Sequence, residues 1–340
     1  MKRGLIEWDP RELSRETLQG RVERCQALLG ERGLDGAVFY TSVAQPVMGR
    51  YLTHFLPYWN EGVLVLPRQG EPLLCVGLSN RVFPWIKGSS TLTEIRASRN
   101  LGADAAKALR ERGARRVGLG DRGSIPYRVI AELEAGLADG EVVDLPEVVQ
   151  TLRLGLDPDE VRLRTAAGGL VANALAEVVV EPGLTDSALA ARLDRAVRLA
   201  GAEDTLVLVG PLGQWPGLPQ RAELAGSANL MMQVEYKGHW VQVGRTVGAD
   251  SEAEAAGRQG MLASLCQPGR DVAGLVAEAR AKHGAELYVS RGGRGHPFTG
   301  LAEDERLAEG DVVALLALGR DGALYGDTFA LQPDGPRPLT

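Results

Sequence analysis

Two hydrophobic periods alternate along the chain. Leu13, Leu18, Val22, Cys25 and Leu29 recur at near-helical spacing after Asp9-Pro10 and stop at Gly33 and Gly36, which predicts a first helix opened by Pro10. A β-run follows over Ala37–Tyr40, and Glu61–Leu66 and Pro72–Gly77 flank a turn at Gln69-Gly70, the pattern of a hairpin. From Thr91 the two periods interleave: a β-run to Ile95, a helix from about Gly102 to Arg112, a β-run over Val117–Leu119, a helix over Tyr127–Leu137 and a β-run at Val142-Val143. Interleaving of this kind predicts an α/β sheet domain.

The second half opens differently. Asp157-Pro158-Asp159-Glu160 places proline and carboxylates where a helix start favours them, and Leu163, Ala167, Leu170 and Ala174 carry the helix toward Glu181-Pro182-Gly183. Thr185 then caps a second helix with the apolar stripe Leu189, Leu193, Val197 and Leu199. A β-run over Leu206–Gly210 leads to Met231–Val247, two alternating β-runs interrupted by Lys237-Gly238 as a hairpin turn. Helices over about Ser251–Leu265 and Val272–His283 follow, separated by Gln267-Pro268-Gly269.

A length of 340 residues fits two domains at roughly 150 residues each. The join falls at Leu152–Asp159, giving domains 1–152 and 153–340. Hydrophobic residues at 44% and charged residues at 24% describe a globular chain, and the net charge of −6 argues against a sequence-independent nucleic-acid binder. Cys25, Cys75 and Cys266 are odd in number and widely spaced, so no disulfide framework is implied. No apolar run reaches the roughly 20 residues of a membrane span, and the first residues lack an apolar signal core, so a cytoplasmic protein is expected.

The hairpin carries the chemistry. Gly238-His239-Trp240-Val241-Gln242-Val243-Gly244-Arg245-Thr246 resembles the Gly-Tyr-x-x-Asp-x-x-Arg-Thr segment of creatinases, aminopeptidases P, prolidases and methionine aminopeptidases. Arg50-Tyr51-Leu52-Thr53, followed by Asn60–Val65, resembles the amino-terminal domain of the creatinase and prolidase type. The resemblance implies an α/β (α+β) fold: a creatinase-like N-terminal α/β domain and a C-terminal pita-bread domain with a curved antiparallel sheet. In that family the hairpin supplies two aspartates to a two-metal centre. Here Gln242 stands at the second, and Glu235, Met231, Met232 or Gln233 at the first. Gln220 stands where the family has a substrate-holding histidine, and a neutral amide cannot shuttle a proton. Tyr288–Gly300 resembles the segment with the metal-binding histidine, which falls at Arg294 or His296, while Leu316 and Gly326 fall at the two glutamates.

A two-metal hydrolytic centre needs several charged oxygen donors, and leucine and glycine side chains offer none. No metal and no cofactor are therefore expected. The residues expected to face the cleft are His296, His239 and Glu235 as catalytic groups, with Gln220, Gln242, Arg245, Arg294, Tyr325 and Asp327 contacting substrate. Histidine is the usual proton shuttle near neutral pH, and arginine pairs with carboxylates. Structural alternatives stand beside these: a Glu235–Arg245 ion pair, Asp327 capping a turn, and His54, Phe55, Tyr58 and Trp59 as a packed loop rather than a binding segment. Three readings compete: a pseudo-peptidase binding a small molecule or short peptide, a metal-independent hydrolase of a guanidino or amide C–N bond, and an Xaa-Pro peptidase with an altered metal site. The resemblance also implies a homodimer; neither nucleic acid nor membrane is an expected partner.

Overall fold

The computed structural model describes residues 8–57, 59–145, 152, 156–248, 255–292 and 297–340, with the side chains of 255–259 excepted. The chain divides into two compact units, Met1–Arg153 and Leu154–Thr340.

In the first unit, helix α1 (Arg15–Glu31) precedes β1 (Gly36–Thr41), α2 (Val47–Thr53), β2 (Gly62–Pro67), β3 (Leu73–Val76), α3 (Phe83–Ser89), β4 (Glu94–Ala97), α4 (Leu101–Glu111), β5 (Arg116–Gly120), α5 (Tyr127–Leu137) and β6 (Glu141–Asp144). The strands form one mixed sheet in the order β4-β3-β2-β1-β5-β6. Both faces are covered, which is why β2 and β3 are buried at every position. Ala37, Phe39, Leu64, Leu66, Leu74 and Val76 pack with α1 and α2 on one face. Val38, Val63, Val65, Leu73 and Cys75 pack with α4 and α5 on the other.

Several sequence expectations shift here. Helix α1 begins at Arg15 rather than Pro10, because the Ser14 side chain accepts the Thr17 N–H and caps it. The Asp9 carbonyl instead closes a turn with the N–H groups of Glu12 and Leu13. Strand β4 starts at Glu94, not Thr91. His54 and Phe55 are buried rather than lining a surface loop: His54 Nδ1 lies 3.1 Å from the Ser89 carbonyl, and Phe55 meets Trp85 edge-on. Trp59 stacks on the outer side of Trp85, and Tyr58 lies outside the described residues.

The second unit runs α6 (Pro158–Ala176), α7 (Asp186–Leu199), β7 (Asp204–Gly210), β8 (Ser227–Tyr236), β9 (His239–Gly248), α8 (Ala255–Leu265), α9 (Val272–Glu278), β10 (Glu286–Arg291), β11 (Thr299–Gly300), β12 (Val312–Leu318), β13 (Leu324–Gln332) and β14 (Gly335–Pro338). Asp157 and Glu160 form a reciprocal capping box at the start of α6, and Thr185 caps α7. The strands make a curled antiparallel sheet in the order β11-β10-β12-β13-β9-β8-β7, with β14 added on β13. On one face α6 and α7 pack on Leu230, Met232, Val234, Val241 and Val243, and α8 and α9 on Val313, Leu315, Ala317 and Phe329. Leu199 leaves the expected apolar stripe of α7 and is 78% exposed at its end. The helix expected to reach His283 changes winding after Glu278, widening over Ala279–His283 until Gly284 turns left-handed at φ 63°.

The β8–β9 hairpin fixes the register of everything below it. Tyr236 pairs with His239, and Lys237 and Gly238 both take positive φ, 48° and 85°, as a two-residue turn of the mirror-image type requires. Lysine carries a steric cost at positive φ that asparagine largely escapes. Lys237→Asn is accordingly expected to stabilise the chain by about 0.5–1 kcal/mol, read as a higher denaturant midpoint; a lower midpoint contradicts this turn geometry.

Candidate functional site

Strand alternation sorts the hairpin into two faces. Met231, Gln233 and Glu235 on β8 share a face with Trp240, Gln242 and Gly244 on β9, opposite the face on which α6 and α7 bury Leu230, Met232, Val234, Val241 and Val243. Gln233 and Gln242 stand directly opposite each other and are both buried. The Phe298 N–H donates to Gln233 Oε1 at 2.9 Å, and since that donor cannot be an acceptor, it fixes which way the Gln233 amide points. Gln233 Nε2 then donates to Gln242 Oε1 at 3.0 Å, and the Ser290 hydroxyl donates to the same oxygen at 3.4 Å. Gln242 Nε2 turns to the Met231 sulfur at 3.5 Å. Two neutral amides thus satisfy one another in a buried place, where a carboxylate would need a compensating cation.

The space beside them is filled by carbon. Leu316 on β12 is fully buried and faces Gly326 on β13. A Cβ at Gly244 would lie 3.2 Å from both Leu316 Cδ2 and Leu324 Cγ, and one at Gly326 would lie 2.6 Å from Leu316 Cγ and 2.7 Å from the Leu315 carbonyl oxygen. Leu316 therefore occupies room that both glycines leave, with Leu324 beside Gly244. Phe298 closes the cluster with Trp240, Ala314 and Leu316, and Gly292 is tied to that ring, since a Cβ there would meet it at 2.7 Å. The Thr328 hydroxyl bridges β13 to β9, accepting the Gln242 N–H at 2.8 Å and donating to the Gln242 carbonyl at 2.7 Å.

A strap crosses the mouth of this face. After β7, Gly213 donates to the Gly322 carbonyl between β12 and β13, Asn229 holds the carbonyls of Gln214 and Gly322, and Trp215 donates to Glu286 on β10 while packing edge-on against Tyr288. Trp215 also rests against the Leu316 cluster. Past the strap, Gln220 is exposed and its side chain turns back on the Leu218 carbonyl. Its N–H and that of Arg221 bond to Asp186 and Ser187 at the start of α7.

The sequence-predicted site residues are not gathered around one cavity. His239, Arg245, Tyr325 and Asp327 share the face opposite Gln242. There His239 Nδ1 lies 3.9 Å from Oε1 of Glu160 in the first turn of α6, and both groups are buried. Arg245 does not pair with Glu235; it pairs with Asp327 and also donates to the Gly326 carbonyl, because the β9–β13 register sets Tyr325 opposite Arg245. Asp327 thus ties strands together inside the sheet instead of capping a turn, and it also accepts from Thr340. Glu235 shares the Gln242 face but lies buried beside the hairpin turn. Arg294 and His296 lie outside the described residues. Among the described residues no group of three or more His, Cys, Asp or Glu is arranged to hold a metal ion. The fit of Leu316 to Gly244 and Gly326 and the Trp215 strap were not foreseen from the sequence; the Gly-Trp spacing of the strap and the glycine at each partner of Leu316 were the available signals.

Residues 21–154 match the Creatinase/Prolidase N-terminal domain family. Uncharacterized peptidase YqhT of Bacillus subtilis (strain 168) is 22% identical over 244 residues, which is 69% of this chain and 66% of that protein, so the chain spans just under two thirds of the length of that relative. X-Pro aminopeptidase from Thermotoga maritima MSB8 superposes with a TM-score of 0.75 at 16% identity, covering 93% of this chain and 97% of that one. The N-terminal domain of FACT complex subunit SPT16 from Cicer arietinum superposes with a TM-score of 0.65 at 14% identity, covering 95% and 96%. At these identities the solved structures establish the fold.

Two measurements test the site. Leu316→Ala is expected to cost about 2–5 kcal/mol and Gly244→Ala about 1–3 kcal/mol; the double variant is expected to be milder than their sum by about 1 kcal/mol, because the new methyl enters the vacated space. Strict additivity in denaturant titrations contradicts that packing. Asp186 titrates below its ordinary 3.8: burial pushes it up, and the backbone N–H groups of Gln220 and Arg221 together with Ser187 pull it further down. A lowered folded pKa adds stability above the ordinary value and loses it as pH falls through the lowered one. Thermal stability is therefore expected to fall more steeply below about pH 4 in the native chain than in Asp186→Ala, and parallel profiles contradict it.

Proposed function

We propose that this chain, whose residues 21–154 match the Creatinase/Prolidase N-terminal domain family, is a creatinase/prolidase relative without the dinuclear metal centre, a pseudo-peptidase that binds a ligand in its second domain. The observation that carries the reading is the filled site: the Gln233–Gln242 amide pair, and Leu316 seated over Gly244 and Gly326. Dications of the peptidase kind are held by several carboxylate oxygens, some of them bridging. An amide oxygen that already accepts two hydrogen bonds is a poor substitute, and Leu316 and Gly326 supply no donor. The residues present do not fit the group, so no catalytic step is routed through it.

Support of a second kind comes from relatives. The same fold serves an X-Pro aminopeptidase and also a domain of the FACT complex subunit SPT16, so the architecture is not bound to one activity. The ligand class consistent with the site is a small molecule or short peptide that needs no fixed charge from the floor of the concave face. A homodimer belongs to the same proposal.

The test is elemental analysis of the purified chain after exposure to manganese, cobalt and zinc, together with assays on prolyl, creatine-like and ectoine-like substrates. Sub-stoichiometric metal and no turnover are the expected results. Stoichiometric metal required for cleavage before proline overturns the proposal; metal-free turnover of a C–N bond moves it to the hydrolase reading.

A further inference from the structure

The connection after β7 leaves the sheet at Gly210 and meets it again at Gly217, where Val209 and Gly217 exchange both backbone hydrogen bonds, at 2.9 and 3.2 Å. Between them runs Pro211-Leu212-Gly213-Gln214-Trp215-Pro216. Each end sets a glycine beside a proline. Proline fixes its own φ and glycine turns freely, so a stiffened segment lies between two swivels. The neck of the loop is narrow: a Cβ at Gly210 would lie 3.0 Å from Pro216 Cα and 3.1 Å from the Trp215 carbonyl oxygen. Loops pinched in this way are compact units and carry function disproportionately.

Pro211 to Gln214 are exposed, and Trp215 and Pro216 are half-buried, so the loop adds little to the hydrophobic core. Hydrogen bonds hold it instead. The Gly213 N–H donates to the Gly322 carbonyl at 2.8 Å, Trp215 Nε1 donates to Glu286 at 3.0 Å, and buried Asn229 donates to the carbonyls of Gln214 and Gly322 at 2.9 and 3.0 Å. The Thr246 hydroxyl and the Leu324 N–H both donate to the Asn229 oxygen, at 2.7 and 3.3 Å, which leaves its amide nitrogen facing the loop.

Trp215 also spans a gap. Five strand intervals separate β10 from β7 in the sheet order, roughly 24 Å across a flat sheet. Trp215 stands two residues before the β7 bridge at Gly217, and it still reaches Glu286 and Tyr288 on β10. The curl brings the two margins close, and one indole clasps them. Trp215 and Met231 pack against the same cluster around Leu316, so a ligand seated on that floor takes the room of the indole.

We propose that residues 210–217 are a latch, which swings on Gly210 and Gly217, frees the Trp215 clasp while the sheet stays folded, and so gates the concave face. The inference rests on the ligand-binding reading and supplies the regulation of that site. Opening breaks the loop's own hydrogen bonds and leaves the buried strands paired, which places it among the local motions that cost less than unfolding.

Amide hydrogen exchange, followed residue by residue on the full chain, reads the latch without a ligand. The Gly213 amide is expected to exchange at least about a hundredfold faster than the amides of β8. Trp215→Phe keeps a ring and removes the N–H; it is expected to speed Gly213 exchange about fivefold and to leave β8 unchanged. Glu286→Leu, at an exposed position, should match it. Iodoacetamide labelling of Met231→Cys reads the floor, because the three native cysteines are buried, and its rate should rise in both backgrounds by the same factor. Gly213 protected as strongly as β8, exchange indifferent to both variants, or labelling unchanged by them each overturns the latch; if Met231→Cys does not fold, the exchange results decide alone. Stoichiometric metal would sink the pseudo-peptidase reading and not the latch, since exchange is measured on the metal-free chain, and a failed latch leaves the metal content untouched.

Discussion

A curled sheet has a concave face, and every side chain that alternation sends there must be paired, packed or wet. That constraint governs the second domain. The helices take the apolar side chains of the other face, so whatever β8, β9, β12 and β13 direct inward has to satisfy itself. In a metal-holding relative, cations and carboxylates answer the constraint together. Here Gln233 and Gln242 answer it with amides, and Leu316 answers it with volume where Gly244 and Gly326 withhold it. The two solutions are different in kind, because one depends on charge and the other on shape and neutral hydrogen bonding.

Much of the framework was legible because local chemistry and tertiary packing agree. Asp157-Pro158-Asp159-Glu160 forms the capping box it announces, Thr185 caps α7, and Lys237-Gly238 closes the hairpin. The missed boundaries have local causes: Ser14 captured the start of α1 because a side-chain oxygen facing the third N–H outcompetes a proline. The resemblance to creatinases and prolidases agrees with the match of residues 21–154 and with the curled sheet.

The site was less legible because a linear string does not display faces. Reading Gln242, Arg245 and Asp327 as neighbours in sequence motifs grouped them around one cleft, whereas odd and even positions of β9 lie on opposite sides of the sheet. The Glu235–Arg245 pairing failed for the same reason: Arg245 takes its partner from β13, a strand some eighty residues away, through a register no local pattern encodes. The bridge at Gly217 is of the same non-local kind, since it depends on where the strap returns to β7.

The interlock of Leu316 with its two glycines also bears on what sequence change can undo. A glutamate placed at Gly326 alone would strike the leucine and the neighbouring carbonyl; placed at Leu316 alone, it would bring a charge among Phe298, Ala314 and Trp240. Either substitution alone therefore carries its own penalty. Gly244, Leu316 and Gly326 are therefore coupled by volume, and a change at one of them is tolerated only together with a matching change at another.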